Sequence, residues 1–164
     1  MLNKMTKIKN KTILNLILLF CFFALFTAYF IEYFLGHQPC NLCLIERIPY
    51  ILTIIIIILS IIFKKFEKVY LIILSLIFIS ATLISFYHFG IEQGFIKESL
   101  VCDLNSQNNS LTKEALLTEL KEKTISCKDV TFKIIGLSLA TINIFISLIL
   151  SIITIKLFLN YEKN

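Results

Sequence analysis

The sequence is poor in glycine and proline and lacks the motifs of common soluble enzymes. It has 4 glycines and 2 prolines in 164 residues, and it contains no internal repeat, phosphate-binding loop or nucleotide fingerprint. Its composition is instead 57% hydrophobic, with a mean hydropathy of +0.85, which is more apolar than a soluble core of this length needs. These features exclude an ordinary soluble domain and predict an integral membrane protein.

The positive charge fits a membrane better than a nucleic acid. The net charge of +5 comes largely from lysines beside apolar segments, where anionic lipid headgroups attract them. A helix needs about 20 residues to cross a ~30 Å hydrocarbon core. Four apolar segments have this length or come close to it. We therefore predict one all-α domain, residues 1–164, folded as a bundle of four transmembrane helices. The predicted spans are residues 13–35, 44–63, 69–91 and 134–155.

Lysine placement predicts the orientation of the spans. Lysines precede the first span and crowd the link between the second and third, whereas residues 36–46 contain neither lysine nor arginine. Because positive residues favour the cytoplasmic side, we expect both termini inside and the loops at 36–43 and 92–133 outside. The first apolar run is longer than the core of a signal peptide, and no small-x-small cleavage site follows it. We expect it to remain as an anchor.

The second outer loop contains a pattern typical of a short amphipathic helix. Residues 111–121 offer Thr112 as an N-cap, followed by an apolar stripe of Leu116, Leu117 and Leu120. Such a stripe favours a helix on the bilayer surface, and packing on the top of the bundle is an equal alternative.

Two cysteine pairs lie in the two outer loops, and hence on one side of the membrane. Cys40 and Cys43 form a Cys-x-x-Cys motif, whose disulfides are commonly reactive. A helix start there would favour a thiolate at Cys43. Half of a zinc site is a weaker reading, since Cys102 and Cys127 are too far apart in sequence for the usual second pair. A structural disulfide between Cys102 and Cys127 remains open, and Cys21, in mid-span, is expected to be a small buried hydrophobe.

Two further residues near the outer boundary are candidates for chemistry. Arg47 is the only arginine. It follows Cys43 by four residues and is expected on the same helical face, where it could stabilise a thiolate or a reduced quinone oxygen. Alternatively it reaches the interface and pairs with Glu46 or a lipid phosphate. His88 ends the third span and could donate to a carbonyl oxygen of a bound ring or shuttle its protons, or be merely interfacial.

Four short segments carry a resemblance to a known family. They are Gln38–Arg47 (QPCNLCLIER), Tyr87–Glu92 (YHFGIE), Ile125–Cys127 (ISC) and Gly136–Ala140 (GLSLA). Together they resemble the DsbB family of disulfide-bond formation proteins, over about residues 12–155. The most specific element is Pro-Cys-x-x-Cys with Glu-Arg following.

The resemblance implies a membrane enzyme that passes electrons from thiols to a quinone. Such a protein would lie in the bacterial inner membrane with periplasmic redox loops. It would reoxidise a periplasmic DsbA-like, thioredoxin-fold dithiol oxidase and reduce ubiquinone or menaquinone. Its other partner would be the lipid bilayer, and no nucleic-acid partner is expected. Since the chain lacks tryptophan, aromatic contacts to the quinone would come from phenylalanine or tyrosine.

The resemblance also implies a role for each loop cysteine. Cys102 would be attacked by the partner's thiolate, and Cys127 would pass the reducing equivalents to Cys40. Cys43 would face the quinone, with Arg47 beside it. The residues expected to contact the quinone are Arg47, His88 and Glu46.

Two other classes remain open on the sequence. One is a four-helix thiol reductase of the vitamin K epoxide reductase type, which carries its quinone-facing Cys-x-x-Cys on a later helix. The other is a non-enzymatic membrane subunit stapled by disulfides, whose cysteines would be inert to dithiothreitol and quinone.

Overall fold

The computed structural model describes residues 2–63, 66–97, 102, 127–128, 133–134 and 136–162. The helix predicted over residues 111–121 lies outside this part of the chain. The elements, in chain order, are helices α1 (Leu2–Tyr33), α2 (Asn41–Ile45), α3 (Ile48–Ile62) and α4 (Glu67–Glu92), strands β1 (Lys133–Ile134) and β2 (Leu137–Ser138), and helix α5 (Leu139–Glu162).

Within the described residues, four helical stretches are long and apolar enough to cross a membrane. They are Lys11–Tyr33, Asn41–Ile62, Glu67–Glu92 and Leu139–Asn160. The prediction of an all-α protein with four transmembrane helices is confirmed. Large apolar side chains remain on the outside of the bundle, such as Phe23 and Phe26 of α1, and in a membrane this surface faces lipid tails.

The second span is interrupted just beyond the Cys-x-x-Cys motif. Helix α2 ends at Ile45, and α3 begins at Ile48 with a proline in its first turn. Pro49 has no N–H to donate to the carbonyl of Ile45, so the ladder of backbone hydrogen bonds breaks here. Because α2 belongs to this apolar stretch, the span starts at Asn41 rather than near Leu44. Its break means that Arg47 does not continue one regular helix from Cys43.

The fourth span starts later than the predicted Ile134. Strands β1 and β2 form a short antiparallel pair with Lys133 opposite Ser138, and Gly136 between them has a φ of 81°, a conformation that favours glycine. Ser138 then accepts a hydrogen bond from the N–H of Thr141 at 3.2 Å, which is the N-cap arrangement of a helix start. Helix α5 consequently begins at Leu139.

A buried core joins all four long helices. Helix α3 packs against both α1 and α4, and α4 packs along α5. The buried core residues are Ile17 and Cys21 of α1, Tyr50 and Ile57 of α3, Leu74 and Phe78 of α4, and Leu150 of α5. Cys21 is fully buried there, as the sequence predicted. This core fixes the helix ends that carry the cysteines.

Candidate redox site

Cys40 and Cys43 lie in contact at the start of α2. Cys40 is the N-cap residue of that helix, and its sulfur accepts a hydrogen bond from the N–H of Cys43 at 3.3 Å. The two Sγ atoms are 2.8 Å apart, and both cysteines are free thiols. Because only a small movement separates this contact from a bond, the pair can alternate between dithiol and disulfide.

The second cysteine pair belongs to the same buried cluster as the first. Cys102 and Cys127 form a disulfide with their Cα atoms 5.9 Å apart, and both residues are buried. They belong to one buried cluster with Cys40, in which Leu42 and Ile91 are the other members. Residues more than eighty positions apart in sequence, Cys40 and Cys127 for example, are thus brought into a single sulfur-rich core.

His88 connects this cluster to a carboxylate. Its Nε2 atom is 3.5 Å from Cys40 Sγ, and its Nδ1 atom is 3.0 Å from Glu46 Oε1. Glu92, one turn further along α4, has Oε1 at 3.8 Å from the same Nε2 atom. The imidazole is buried, so both of its nitrogens act within the protein.

These neighbours act on the Cys40 thiol. Its hydrogen bond with Cys43 and, next, the contact with His88 lower the pKa of Cys40 to about 4, although burial opposes this by raising it. The sequence favoured a thiolate at Cys43, on the assumption that Cys43 lies at the helix start. The helix instead begins at Asn41, so the capping sulfur, and the lowered pKa, belong to Cys40.

A titration of the reduced protein tests this assignment. An ordinary cysteine, with a pKa of 9.0, is protonated between about pH 4 and 9, whereas Cys40 is expected to be a thiolate throughout that range. In a chain with Cys21, Cys102 and Cys127 replaced by serine, the ultraviolet absorbance of thiolate should persist down to about pH 4. Further replacement of Cys43 by alanine, which removes the side-chain hydrogen bond to Cys40, should move the midpoint upward. A first midpoint near that of free cysteine would contradict the prediction.

Asn143 of α5 organises the polar groups beside the cysteines. Its side-chain N–H groups donate to Glu46 Oε2 at 3.1 Å and to Ser85 Oγ at 2.8 Å, and its oxygen accepts a hydrogen bond from the Tyr50 hydroxyl. Sequence reasoning missed this residue. The available signal was an amide within an apolar span, because polar residues at such positions are rare and usually functional.

Arg47 pairs with α1 rather than with its neighbour Glu46. Its Nη1 atom donates to Glu32 Oε2 at 2.5 Å, and its guanidinium lies 4.9 Å from the centre of the Tyr29 ring. The Glu46 carboxylate is meanwhile bonded by His88 and Asn143. The ion pair therefore holds the break in the second span against the end of α1.

A cleft of about 280 Å³ lies beside this ion pair. Helices α1 and α5 line most of it with apolar side chains, and the loop before α2 closes one end. The polar lining residues include Cys43, Glu46, Arg47 and Asn143, and the aromatic ones are Phe20, Phe23 and Tyr50. His88 is not among the residues that line it. Its contacts are with Cys40 and Glu46.

This combination suits a quinone ring. Small-molecule sites are mostly apolar with a few placed polar groups, and they start at about 300 Å³. The cleft has this character, and the thiol of Cys43 forms part of its wall. The aromatic lining comes from phenylalanine and tyrosine, as expected for a chain without tryptophan.

Comparison with known proteins agrees with the motifs. The family model described as disulfide bond formation protein DsbB matches residues 10–157. The chain belongs to the DsbB family. It is also 30% identical over 158 residues to the uncharacterized protein RP370 of Rickettsia prowazekii (strain Madrid E), an alignment that covers 93% of this chain and 90% of that protein. No solved structure matches the chain.

Membership of the DsbB family makes this a multi-pass membrane protein of disulfide-bond formation. In agreement with it, the Cys-x-x-Cys pair opens the second span. A reductase of the vitamin K epoxide type would carry the pair on a later helix. The resemblance drawn from the sequence is thereby confirmed.

Proposed function

We propose that this DsbB-family chain is a thiol:quinone oxidoreductase of the bacterial inner membrane. It reoxidises a periplasmic, DsbA-like dithiol oxidase and passes the electrons to ubiquinone or menaquinone. The observation that carries the proposal is that the two cysteine pairs share one buried cluster. The Cys102–Cys127 disulfide packs in one buried cluster with Cys40, while Cys43 lines the apolar cleft.

The first steps are thiol–disulfide exchanges. A thiolate of the partner attacks Cys102, which breaks the Cys102–Cys127 bond and releases the Cys127 thiolate. That thiolate attacks Cys40 when Cys40 is bonded to Cys43, and Cys43 leaves as a thiolate. The partner's second thiol then displaces Cys102 from the mixed disulfide. The freed Cys102 thiolate attacks Cys127, which restores the Cys102–Cys127 disulfide and releases Cys40 as a thiolate. The partner is oxidised, and Cys40 and Cys43 hold the two electrons.

Cys40 is suited to be the sulfur that leaves last. A thiol of low pKa is a good leaving group, and the contacts of Cys40 with Cys43 and His88 stabilise its thiolate. His88 and Glu46 are bonded to each other beside it, so they can hold a proton near the sulfur pair. Closing the Cys40–Cys43 disulfide returns the site to its starting state.

The cleft would hold the electron acceptor next to Cys43. A quinone bound there supplies the sink for two electrons and two protons. Arg47 would bind a ring oxygen through guanidinium N–H groups that its ion pair with Glu32 leaves available, because an arginine has five donors. Phe20, Phe23 and Tyr50 would contact the ring.

The function is tested with purified protein under anaerobic conditions. A reduced thioredoxin-fold dithiol oxidase is mixed with the protein and a soluble quinone, and both partner thiols and quinone are followed. Quinone should be reduced in step with disulfide formation in the partner. Equal oxidation of the partner without quinone would contradict the proposal.

Replacing Arg47 by glutamine should raise the quinone KM by roughly 10-fold or more, because a hydrogen bond from a charged group contributes about 1.5–3 kcal/mol. Arg47→Lys keeps the charge but loses the planar fork, so its KM should rise less. The KM for the dithiol partner should stay nearly constant. Steady-state kinetics with quinone as the varied substrate measures both.

Glu32→Gln is the matched control for this arginine. It removes the ion pair and keeps the guanidinium in place to contact the quinone. If Glu32→Gln raises the quinone KM as much as Arg47→Gln, the arginine acts only by holding α1 against the second span. An unchanged KM in Arg47→Gln would leave the arginine with only its contacts to Glu32 and Tyr29.

The proposed sidedness gives a labelling result. A membrane-impermeant maleimide should modify the reduced loop cysteines in intact cells, since the lysine pattern places these loops outside the cytoplasm. Lysines beside the first span should react with an impermeant amine reagent only after permeabilisation. Labelling of the loop cysteines only after permeabilisation would reverse the orientation.

A further inference from the structure

Three potential metal ligands converge at the reduced cysteine pair. The sulfur atoms of Cys40 and Cys43 and a ring nitrogen of His88 all lie within 4.8 Å of one another. Cys40 and His88 are buried. Two thiolates and an imidazole are ligands that zinc and other thiophilic ions bind in tetrahedral sites.

The orientation of His88 matches that of a metal-binding histidine. Such a histidine usually donates one N–H to a carboxylate, which leaves the other nitrogen free to bind the ion. Glu46 Oε1 lies 3.0 Å from Nδ1 of His88, while Nε2 faces Cys40. Glu46 is itself held by the amide of Asn143, so the imidazole is fixed with Nε2 toward the sulfurs.

Glu92 places a buried carboxylate beside these ligands. Its side chain is only 6% exposed, and its Oε1 atom is 3.8 Å from His88 Nε2. Its Oε2 atom is buried and has no hydrogen-bond partner within the described part of the chain. Leaving a buried carboxylate oxygen unpaired is costly, and a cation held by Cys40, Cys43 and His88 would place a positive charge near this carboxylate.

We propose that the reduced site, formed by Cys40, Cys43 and His88 with the Glu92 carboxylate beside them, binds one thiophilic divalent cation such as Zn²⁺ or Cd²⁺. In the complex both sulfurs are thiolates, any thiol proton still present is released to solvent, and each sulfur forms a bond to the ion with no change of oxidation state. Both sulfurs are then engaged, so the ion prevents disulfide formation. This inhibitory part rests on the proposed function, whereas the binding does not.

The zinc reading of the sequence looked for its other ligands at Cys102 and Cys127. The structure places those two cysteines in a disulfide and offers His88, with the Glu92 carboxylate beside it, in their place. These residues come from α4, which no spacing rule for cysteines would have identified.

Cadmium binding to the full-length protein tests the site. The probe is Cd²⁺ alone, added to reduced protein with Cys102 and Cys127 replaced by serine, and the readout is the ultraviolet absorbance of the cadmium–thiolate bond. We expect saturation at one ion per chain. The same protein oxidised at Cys40 and Cys43 should not bind, and the two measurements compare one chain in two redox states. Binding to both forms, or to neither, would overturn the proposal.

Variants separate this site from simple chelation by two thiols. Glu46→Gln should weaken Cd²⁺ binding by roughly 10–100-fold, because partners of a ligating histidine contribute that much to affinity. His88→Gln and Glu92→Gln should weaken it as well. Cys21→Ala is the matched control and should leave the affinity unchanged. Equal affinity in His88→Gln and the parent would mean that the cysteines alone bind the ion, against the proposal.

The inhibitory part has its own readout. Zn²⁺ should slow quinone-dependent thiol oxidation by the wild-type protein, and a chelator should restore it. If Cd²⁺ binds as predicted but Zn²⁺ does not slow turnover, the inhibitory part is wrong and the proposed function stands. If the protein shows no quinone-dependent turnover at all, the proposed function is wrong, and the cadmium titration still decides the site.

Discussion

Cys43→Ser is expected to abolish quinone-dependent thiol oxidation. Serine forms no disulfide, so Cys40 could not form the Cys40–Cys43 disulfide. Turnover should fall by roughly a thousandfold or more. The measurement is the rate of quinone reduction with a reduced dithiol partner in excess.

Cys21→Ala is the matched control for this loss. Cys21 is also a free cysteine, but it lies in the apolar core of the bundle. Its replacement should change turnover by about twofold at most, since alanine keeps the site apolar. If Cys43→Ser kept a tenth of the wild-type rate, the inner cysteine pair would not be on the path of the electrons.

Cys127→Ala is expected to trap the partner on Cys102. The variant leaves Cys102 as a free thiol, which attacks the disulfide of the oxidised partner, forms a mixed disulfide and frees one partner thiol. Alkylation of that thiol prevents the reverse step. A non-reducing gel should show most of the protein as a covalent complex, and peptide mass spectrometry should locate the bond at Cys102.

The same variant separates a catalytic disulfide from a structural one. If the Cys102–Cys127 bond were only a staple, its loss would lower thermal stability while turnover persisted. We expect turnover to be the property that is lost, by roughly a hundredfold or more, because Cys102 then has no second cysteine with which to pass the electrons on. Full turnover in either Cys102→Ala or Cys127→Ala would establish the staple.

The spans and the cysteine motif could be predicted because each depends on local sequence. Runs of apolar residues long enough for a bilayer identify the four helices, and the Cys-x-x-Cys spacing identifies a reactive pair. The break before α3 is explained by Pro49. It was not predicted, because hydropathy assigned α2 and α3 to one apolar span. Hydropathy measures length and composition, so it does not report such a break.

The contacts between helices could not be predicted in the same way. Asn143 bonds Glu46 across 97 positions of sequence, and Arg47 pairs with Glu32 on another helix. In a soluble protein, the polar face of each helix would indicate which side is buried. Here both faces are apolar, because one packs in the bundle and the other contacts lipid, so the rotation of each helix is hidden.

His88 shows the consequence of that hidden rotation. Its place at the outer end of the third span suggested a quinone ligand. The rotation of α4 instead turns its imidazole to Cys40 and Glu46, where it acts on the thiols. Contact of His88 with the quinone stays a prediction, and so does the amphipathic helix of the second loop.

The relay between the two cysteine pairs is tested most directly by asking whether quinone can oxidise Cys102 and Cys127 when Cys40 and Cys43 are absent. The fully reduced protein is mixed anaerobically with excess quinone and no partner, and the remaining thiols are counted by alkylation and mass spectrometry. Both pairs should become disulfides in the wild type. In Cys40→Ser/Cys43→Ser, Cys102 and Cys127 should remain thiols. Quinone-dependent oxidation of Cys102 and Cys127 in that variant would contradict a relay through the inner pair.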